Sequence, residues 1–363
     1  MTAETPWGMV FDGPGRKLNC ATFARPKLAP GECLVRVLGT TLCGSDLHSY
    51  EGRRLTPVPT ILGHEILGEI EELPTEPPTA IGGRPLAVGD RVVWGLAASC
   101  GECHYCHRDL PQKCVALFKY GHEALRPGRE LSGGLASHCL LVRGTAIVRV
   151  PDPVPDAMAC PAACATATVA GALRVAAARP QGRFLVVGLG MLGLTACAML
   201  RAAGAECVWG VDVDPRRRAL ATRFGALRAL ECNEIPGSVM AHTDGRGVDA
   251  AFEFTGSPDG ARMTLEALDL GGVAVWVGAT YPAAPVSVDA ETIVRRCLTV
   301  LGLHNYHPTD LVAAMEFLAS HGRSSPFESV VSPPFALEQA EGAFKAAATG
   351  EYLRVAVGHF RTS

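Results

Sequence analysis

The pattern of apolar and polar positions divides the chain in two. Over the first 150 residues the apolar runs are short and stop at Gly, Pro or Asp: ECLVRVLGT from Glu32, GEIEEL from Gly68, GDRVVWG from Gly89 and HCLLVRG from His138. Runs of that length with those stops predict β-strands joined by turns. PTEPPTAIGGRPLAVGD from Pro74 is rich in Pro and Gly and predicts a surface loop. From about Asp156 the period changes. RFLVVGLG, ECVWGVDVD, VDAAFEFTG and GGVAVWVGA alternate with helix-period segments such as MLGLTACAMLRAAG. Repeated βα units predict a parallel sheet covered by helices on both faces. After about Leu303 come a helix, TDLVAAMEFLASHG, the stretch SPPFALEQAEGAFKAAATG and a last strand, YLRVAVGHF.

A chain of 363 residues suits two domains of roughly 150–200 residues and needs no disulfides to hold a core. Hydrophobic residues make up 48% and charged residues 19%, which excludes a disordered or fibrous chain. The net charge of -3, from 33 basic and 36 acidic residues, gives no general attraction to nucleic acid or anionic lipid. The amino-terminal stretch MTAETPWGMVFDGPGRK has no basic region followed by a long apolar run, so a cytoplasmic location is the expectation. AMACPAACATATVAGALRVAAA from Ala157 is interrupted by Thr166, Thr168 and Arg174 and reads as a buried helix, not a membrane span. Fourteen cysteines without an export signal point to thiols and metal ligands.

Three constellations carry chemistry. The strand RFLVV runs into Gly188-x-Gly190-x-x-Gly193 and a helix, and a second strand ends at Asp212, nineteen positions after Gly193. The glycines permit a tight turn and close approach of a pyrophosphate to the helix amino terminus, and the carboxylate suits the adenosine ribose. Asp212 repels a 2′-phosphate and favours NAD over NADP; Arg216, Arg217 and Arg218 close behind it favour the opposite. Cys100, Cys103, Cys106 and Cys114 have the spacing C-x2-C-x2-C-x7-C, which wraps four thiolates around a tetrahedral zinc ion. A site closed by four cysteines has no open position, so its role is structural, and His104 and His107 read as solvated loop residues. Upstream, GTTLCGSDLHSYEG and LGHEILGE gather Cys43, Ser45, Asp46, His48, His64 and Glu65 within twenty-three residues. A thiolate and an imidazole are zinc ligands, and Asp46 is suited to hold the second nitrogen of His64.

Together these motifs resemble the zinc-dependent medium-chain alcohol dehydrogenases, along nearly the whole chain. The resemblance implies a GroES-like, mainly-β catalytic domain over 1–165 and 304–363, with a structural zinc lobe at about 96–118. A Rossmann domain, a doubly wound parallel sheet, would occupy 166–303 and bind NAD. It implies two zinc ions per chain. Cys43, His64 and Cys164 would hold the catalytic one, with Cys160 competing with Cys164 for the third place. Asp46 would orient His64, Glu65 would act during ligand exchange, and Ser45 would begin a proton relay that reaches solvent at His48. Thr168, Met191, Leu192, Arg217, Val277 and Arg354 would join Gly188, Gly190, Gly193 and Asp212 around the cofactor. Gly44 stands where the family often has a basic residue.

The resemblance also implies a small alcohol or carbonyl substrate, a homodimer or homotetramer, and no nucleic-acid or membrane partner. Leu96 and Arg54 fall on substrate-pocket positions, the latter where the family usually has an apolar side chain. Arg54 either faces solvent or meets an anionic substrate, with Lys119, His122, Arg126 and Arg129 adding positive charge. GTTLCGSDLHSYEGRR and PTILGHEILGE also resemble dehydrogenases associated with phosphonate metabolism, which makes a hydroxyalkylphosphonate or hydroxy acid a candidate substrate. The rival readings are a non-catalytic NAD- or nucleic-acid-binding regulator and a zinc-free quinone or enoyl reductase. Intact Ser45 and the ligands Cys43, His64 and Cys164 weigh against both.

Overall fold

The short apolar runs of the amino-terminal part form antiparallel strands. In a computed structural model, which describes residues 4–280 and 282–361, Cys33–Leu42 is the hub. It pairs with Glu65–Glu72, His138–Leu141 and Val355–Gly358. Arg91–Ala98 and Phe118–Lys119 extend the sheet, and Thr145–Arg149 pairs with Arg91–Ala98. A smaller sheet joins Trp7–Phe11 to Asn19–Thr22 and Thr60–Ile61. The stretch from Pro74 stays a loop apart from one isolated bridge, Thr79 to Pro85. Of the amino-terminal stretch read for an export signal, residues 1–3 lie outside the described residues.

Register decides what meets at one end of this sheet. Thr41 lies opposite Glu65 and Leu42 opposite Val355. The residues just beyond those pairs, Cys43, His64 and Arg354, are therefore delivered to the same end of neighbouring strands. The helix Gly44–Tyr50 starts there, with Cys43 as its N-cap. Asp46 Oδ2 accepts the Cys43 backbone N–H at 2.9 Å, which satisfies one of the donors that a helix start leaves open. At the other end of the helix, Tyr50 stacks on Phe344 with ring centres 4.1 Å apart. That contact joins it to the helix Ala340–Thr349 and to a core containing Ile61, Leu62, Leu135 and Val357.

The βα half forms six parallel strands in the order Arg228–Leu230, Cys207–Val211, Arg183–Val187, Val248–Glu253, Leu268–Trp276 and Thr299–Gly302. This is the doubly wound Rossmann order, with the first strand of the motif in the middle. Leu185, Val187, Trp209, Val211, Val239 and Leu265 are among the residues of its core. Chain contacts divide the molecule into two units. One runs to Cys164 and includes His307–Gly322 and the chain from Phe327; the other is Ala165–Tyr306 with Arg323–Pro326.

The segment from Ala157 is helical but not one helix. It forms Asp156–Ala159, a 3-10 turn Cys160–Ala163 and then Ala165–Val175. Pro161 lacks an N–H and obstructs the preceding turn, and Cys164, at φ -124 and ψ -66, lies outside helical geometry. Among the described residues no single helix is long and apolar enough to cross a membrane.

Candidate active site

Cys43, His64, Glu65 and Cys164 bring one ligand atom each to a group whose members all lie within 4.8 Å of one another. Cys43 enters from the helix N-cap, His64 and Glu65 from the start of their strand, and Cys164 from the break after Pro161. Cys160 does not join this group. Its thiol is fully buried and donates to the backbone carbonyl of Glu65 at 3.1 Å. Between the two candidates left open by spacing, the fold thus presents Cys164 to the ligand group and turns Cys160 into packing.

The surroundings hold the ligands in one arrangement. Asp46 is fully buried, and its Oδ1 lies 3.0 Å from His64 Nδ1 and 3.3 Å from the Gly63 N–H that donates to it. Nδ1 is thereby committed to the carboxylate, and Nε2 is left for a metal. The Cys164 thiol donates a hydrogen bond to the Cys43 sulfur, and this hydrogen bond holds the Cys43 pKa well below its ordinary value against the cost of burial, with Arg354 and His64 assisting. The same bond pushes Cys164 up, so the two thiols share a proton. Burial opposes a charge on His64, yet Asp46 and Cys43 raise its pKa well above the ordinary value. Two sulfurs and one imidazole nitrogen fit a catalytic zinc with a fourth position open to substrate.

Glu65, the fourth member of the group, is also engaged by other partners. Arg354 Nε lies 2.9 and 2.8 Å from its two oxygens, and Thr41 Oγ1 donates to one of them at 2.5 Å. Burial pushes the Glu65 carboxyl up to about 7 even with Arg354 opposing it. Arg354 is buried too, and its Nη2 has no hydrogen-bond partner among the described residues. Ser45 Oγ stands 3.5 Å from His64 Nε2, on the ligand side of the ring. His48 follows one turn later on the same helix, with burial and the Arg53 guanidinium lowering its pKa.

The four cysteines of the lobe form a second such group. Cys103 and Cys106 sulfurs are 3.5 Å apart, and Cys114 and Cys100 3.4 Å. Backbone N–H groups of Cys106, Val115 and Tyr105 bring Cys103 down to about 6, the thiolate form a metal requires. His104 and His107 are exposed on a short helix and stand outside the group.

In the parallel sheet, Gly188, at φ +93, turns the chain out of the strand, and Gly190 caps the helix Met191–Ala202, so Met191 and Leu192 form its first turn. A Cβ on Gly193 would lie 1.8 Å from the Gly188 carbonyl oxygen, so only glycine fits; one on Gly190 would meet nothing within 4 Å, leaving open space at the helix start. Asp212 follows the strand Cys207–Val211 and accepts the N–H groups of Leu189 at 2.7 Å and Asp214 at 2.8 Å. Arg217 Nη1 is 3.7 Å from the same carboxylate, and Val213 beside it is 80% exposed. An open helix start next to a fixed carboxylate and an exposed apolar side chain fits a dinucleotide. Thr168 is buried in the helix Ala165–Val175, and Val277, also buried, follows the strand Leu268–Trp276.

Known proteins are similar to this chain in sequence and fold. The family described as zinc-binding dehydrogenase matches residues 191–320, and that of the alcohol dehydrogenase GroES-like domain matches 29–152. An L-threonine 3-dehydrogenase of Pyrococcus horikoshii is 31% identical over 304 residues, 81% of each chain. The chain belongs to the zinc-dependent medium-chain alcohol dehydrogenase family. An alcohol dehydrogenase of Geobacillus stearothermophilus is 29% identical over 314 residues, 86% of this chain and 87% of that protein. The crystal structure of an alcohol dehydrogenase of Thermotoga maritima superposes with a TM-score of 0.92 at 26% identity, covering 98% of this chain and 100% of that one.

The residues around the ligand group of this dehydrogenase sort the basic cluster read from the sequence. Arg129 is paired with Glu32 at 2.6 Å, and Arg126 is exposed. Arg53 is exposed and pairs with Glu51, whereas no described residue hydrogen-bonds or ion-pairs the guanidinium of Arg54. His122 faces His64, ring centre to ring centre 5.2 Å. Burial and the charges of His64 and Arg54 push it down to about 4. The carbonyl of Leu96 accepts the Tyr120 N–H at 3.0 Å and so fixes the segment that carries His122. Sequence reading did not single out Thr41, although strand alternation from Cys43 places both on one face.

Proposed function

We propose that this enzyme is an NAD-dependent dehydrogenase with two zinc ions that oxidises the carbinol of a small anionic alcohol, and reduces the matching carbonyl in reverse. The observation that carries the reading is the group of Cys43, His64 and Cys164 with Asp46 locked behind it. These three would hold one zinc, and Cys100, Cys103, Cys106 and Cys114 the other. When bound, the first zinc acidifies the substrate hydroxyl and the dinucleotide takes the hydride.

The chain's own residues do the rest. Asp46 fixes the tautomer of His64. Ser45 stands on the ligand side of His64 to receive the hydroxyl proton, and His48, lowered by its surroundings and so a ready base, passes it outward. Arg354 and Thr41 hydrogen-bond the Glu65 carboxyl and so compete with a metal for its oxygens. Asp212 supports NAD, since a carboxylate there binds the ribose hydroxyls and repels a 2′-phosphate. Arg54, whose guanidinium has no hydrogen-bond or ion-pair partner among the described residues and whose charge reaches both His48 and His122, supports an anionic substrate, a hydroxy acid or a hydroxyalkylphosphonate. The relatives whose printed name is L-threonine 3-dehydrogenase support the hydroxy acid.

The test combines metal analysis with kinetics. Two zinc ions per chain are expected, falling to one in Cys43→Ser with turnover lost and the fold kept; a single zinc in the unmutated protein would contradict the assignment. NAD should exceed NADP in kcat/KM, and an anionic alcohol should exceed its neutral isostere. Arg54→Leu should cost the anionic substrate on the order of 1.5–3 kcal/mol and leave the neutral one unchanged. Equal losses for both would remove Arg54 from substrate recognition.

A further inference from the structure

We infer that Glu253 is a positioning residue for the dinucleotide: its buried carboxylate draws in the N–H groups of two turns and so aims the carbonyls of Phe254, Thr255 and Val277 at donors on the half of the cofactor away from the adenosine. The inference rests on the proposed reading of a dinucleotide at Gly188, Gly190 and Asp212.

Strand order sets where that half lies. Cys207–Val211, Arg183–Val187, Val248–Glu253 and Leu268–Trp276 are parallel neighbours in that spatial order. Asp212 follows the first of them, and Gly188 and Gly190 follow the second. With the adenosine at Asp212 and the pyrophosphate at the helix start, the remainder of the molecule runs over the ends of the third and fourth strands. The turn 254–256 at that place lies against the phosphate turn: a Cβ on Gly188 would come 2.7 Å from Thr255 Cγ2 and 3.2 Å from Thr255 N. The turn after the fourth strand crosses it as closely, since a Cβ on Gly278 would come 2.3 Å from Gly256 N and 2.6 Å from the Phe254 carbonyl carbon. Three turns are thus packed backbone on backbone.

One side chain fixes two of them. Glu253 ends the third strand and is 1% exposed. Its Oε1 accepts the Thr255 N–H at 2.5 Å, the Thr255 hydroxyl at 2.5 Å and the Gly256 N–H at 2.7 Å; Oε2 accepts the Gly278 N–H at 3.2 Å. A trans peptide points its N–H and its C=O in opposite directions. Among the described residues only Val58–Pro59 is cis. With the N–H groups of Thr255, Gly256 and Gly278 turned to the carboxylate, the carbonyls of Phe254, Thr255 and Val277 are turned away from it, and none of the three accepts a hydrogen bond from a described residue. Thr255 is exposed, and Phe254, Gly256 and Gly278 are half-buried, so each of these peptides includes a residue that a ligand can reach. The half of NAD beyond the pyrophosphate carries two kinds of donor, its ribose hydroxyls and its carboxamide N–H groups, and carbonyl oxygens match both.

Calorimetry on the zinc-loaded enzyme with AMP, ADP-ribose and NADH tests this, because the three ligands add first the second ribose and then the carboxamide. In Glu253→Met, which nearly keeps the volume and removes both oxygens, NADH should bind at least about tenfold more weakly while AMP stays within about twofold. A loss shared by ADP-ribose assigns the ribose hydroxyls, and a loss confined to NADH assigns the carboxamide. Glu253→Gln keeps one acceptor oxygen for the three donors of the turn 254–256 and should recover most of the NADH affinity. Unchanged NADH binding in Glu253→Met overturns the inference, as does an equal loss for AMP and NADH or a Gln variant as weak as the Met one. If Glu253→Met does not fold, Glu253→Asp, which withdraws the carboxylate by one methylene, should weaken NADH and spare AMP, and the absence of that pattern is equally decisive against it. If the unmutated enzyme binds neither AMP nor NADH, the dinucleotide reading itself falls and the inference with it; binding of both with indifference to Glu253 overturns the inference alone.

Discussion

Asp46 serves two backbones at once. One oxygen closes the start of the helix Gly44–Tyr50 on Cys43, and the other holds His64 and the Gly63 N–H. Two ligands from separate elements thus share one buried carboxylate, so a change there disturbs both. Asp46→Asn keeps the size and loses the charge, and the amide can present only one acceptor oxygen. Zinc affinity at this group should fall roughly 10- to 100-fold, read by competition with a chelator, while the cysteine lobe keeps its metal. Equal loss from both sites would mean that Asp46 acts through global stability. The residue types of this group, Cys, Ser, Asp, His and Glu, were legible because few structural roles collect them in one short stretch. The preference for Cys164 over Cys160 comes from the family resemblance and not from spacing. In the structure it depends on Pro161 breaking the helix, which turns one thiol toward a carbonyl and the other toward the ligands.

Elements show which patterns carry over to structure. The short apolar runs stopped by Gly, Pro or Asp became the antiparallel strands and the βα alternation became the six-stranded sheet. What periodicity leaves out is which edges meet: the basic stretch after the lobe separated into a paired Arg129, an exposed Arg126 and a His122 turned to His64. The strand His138–Leu141 carries a comparable tie. His138 Nε2 lies 3.1 Å from Glu71, which also meets Arg25 at 2.5 Å. Burial lowers His138 below its ordinary 6.5 although Glu71 opposes the shift. For Glu71, burial acts upward, but Arg25 and His138 bring the carboxyl below its ordinary 4.5. Both folded values are depressed, so both groups contribute stability that is present above their unfolded pKa values and is lost as pH falls. The urea midpoint should therefore decline on acidification from pH 6.5, and His138→Gln should flatten that decline; an unchanged slope would assign it elsewhere. On the proposed reading the cysteine lobe is held by a zinc ion at Cys100, Cys103, Cys106 and Cys114. Cys103→Ser should lower Tm by several degrees, and a chelator should lower the unmutated protein toward the same value.

At the scale of the whole molecule, the centre depends on a contact no local pattern announces. Glu65 and Arg354 are 289 positions apart and meet because Val355–Gly358 returns to pair with Cys33–Leu42. The family resemblance implies Arg354 as a cofactor contact; its Nε is taken up by Glu65, and Nη2 is the atom without a partner among the described residues. Both side chains are buried, so removing one partner strands the other charge in a poorly solvated place. Arg354→Met should cost on the order of 3–5 kcal/mol of unfolding free energy in the zinc-loaded protein, and the double change with Glu65→Met should cost less than the single one. The loss should also depend on pH. Glu65, at about 7 against an ordinary 4.5, is a raised carboxyl, and such a group loses stability as pH rises. Arg354 opposes that rise, so without it the carboxyl moves higher and the penalty of ionising it grows. Urea titrations of Arg354→Met should therefore show a larger deficit at pH 8 than at pH 6, and a deficit equal at both would mean that Glu65 is already paired by some other group.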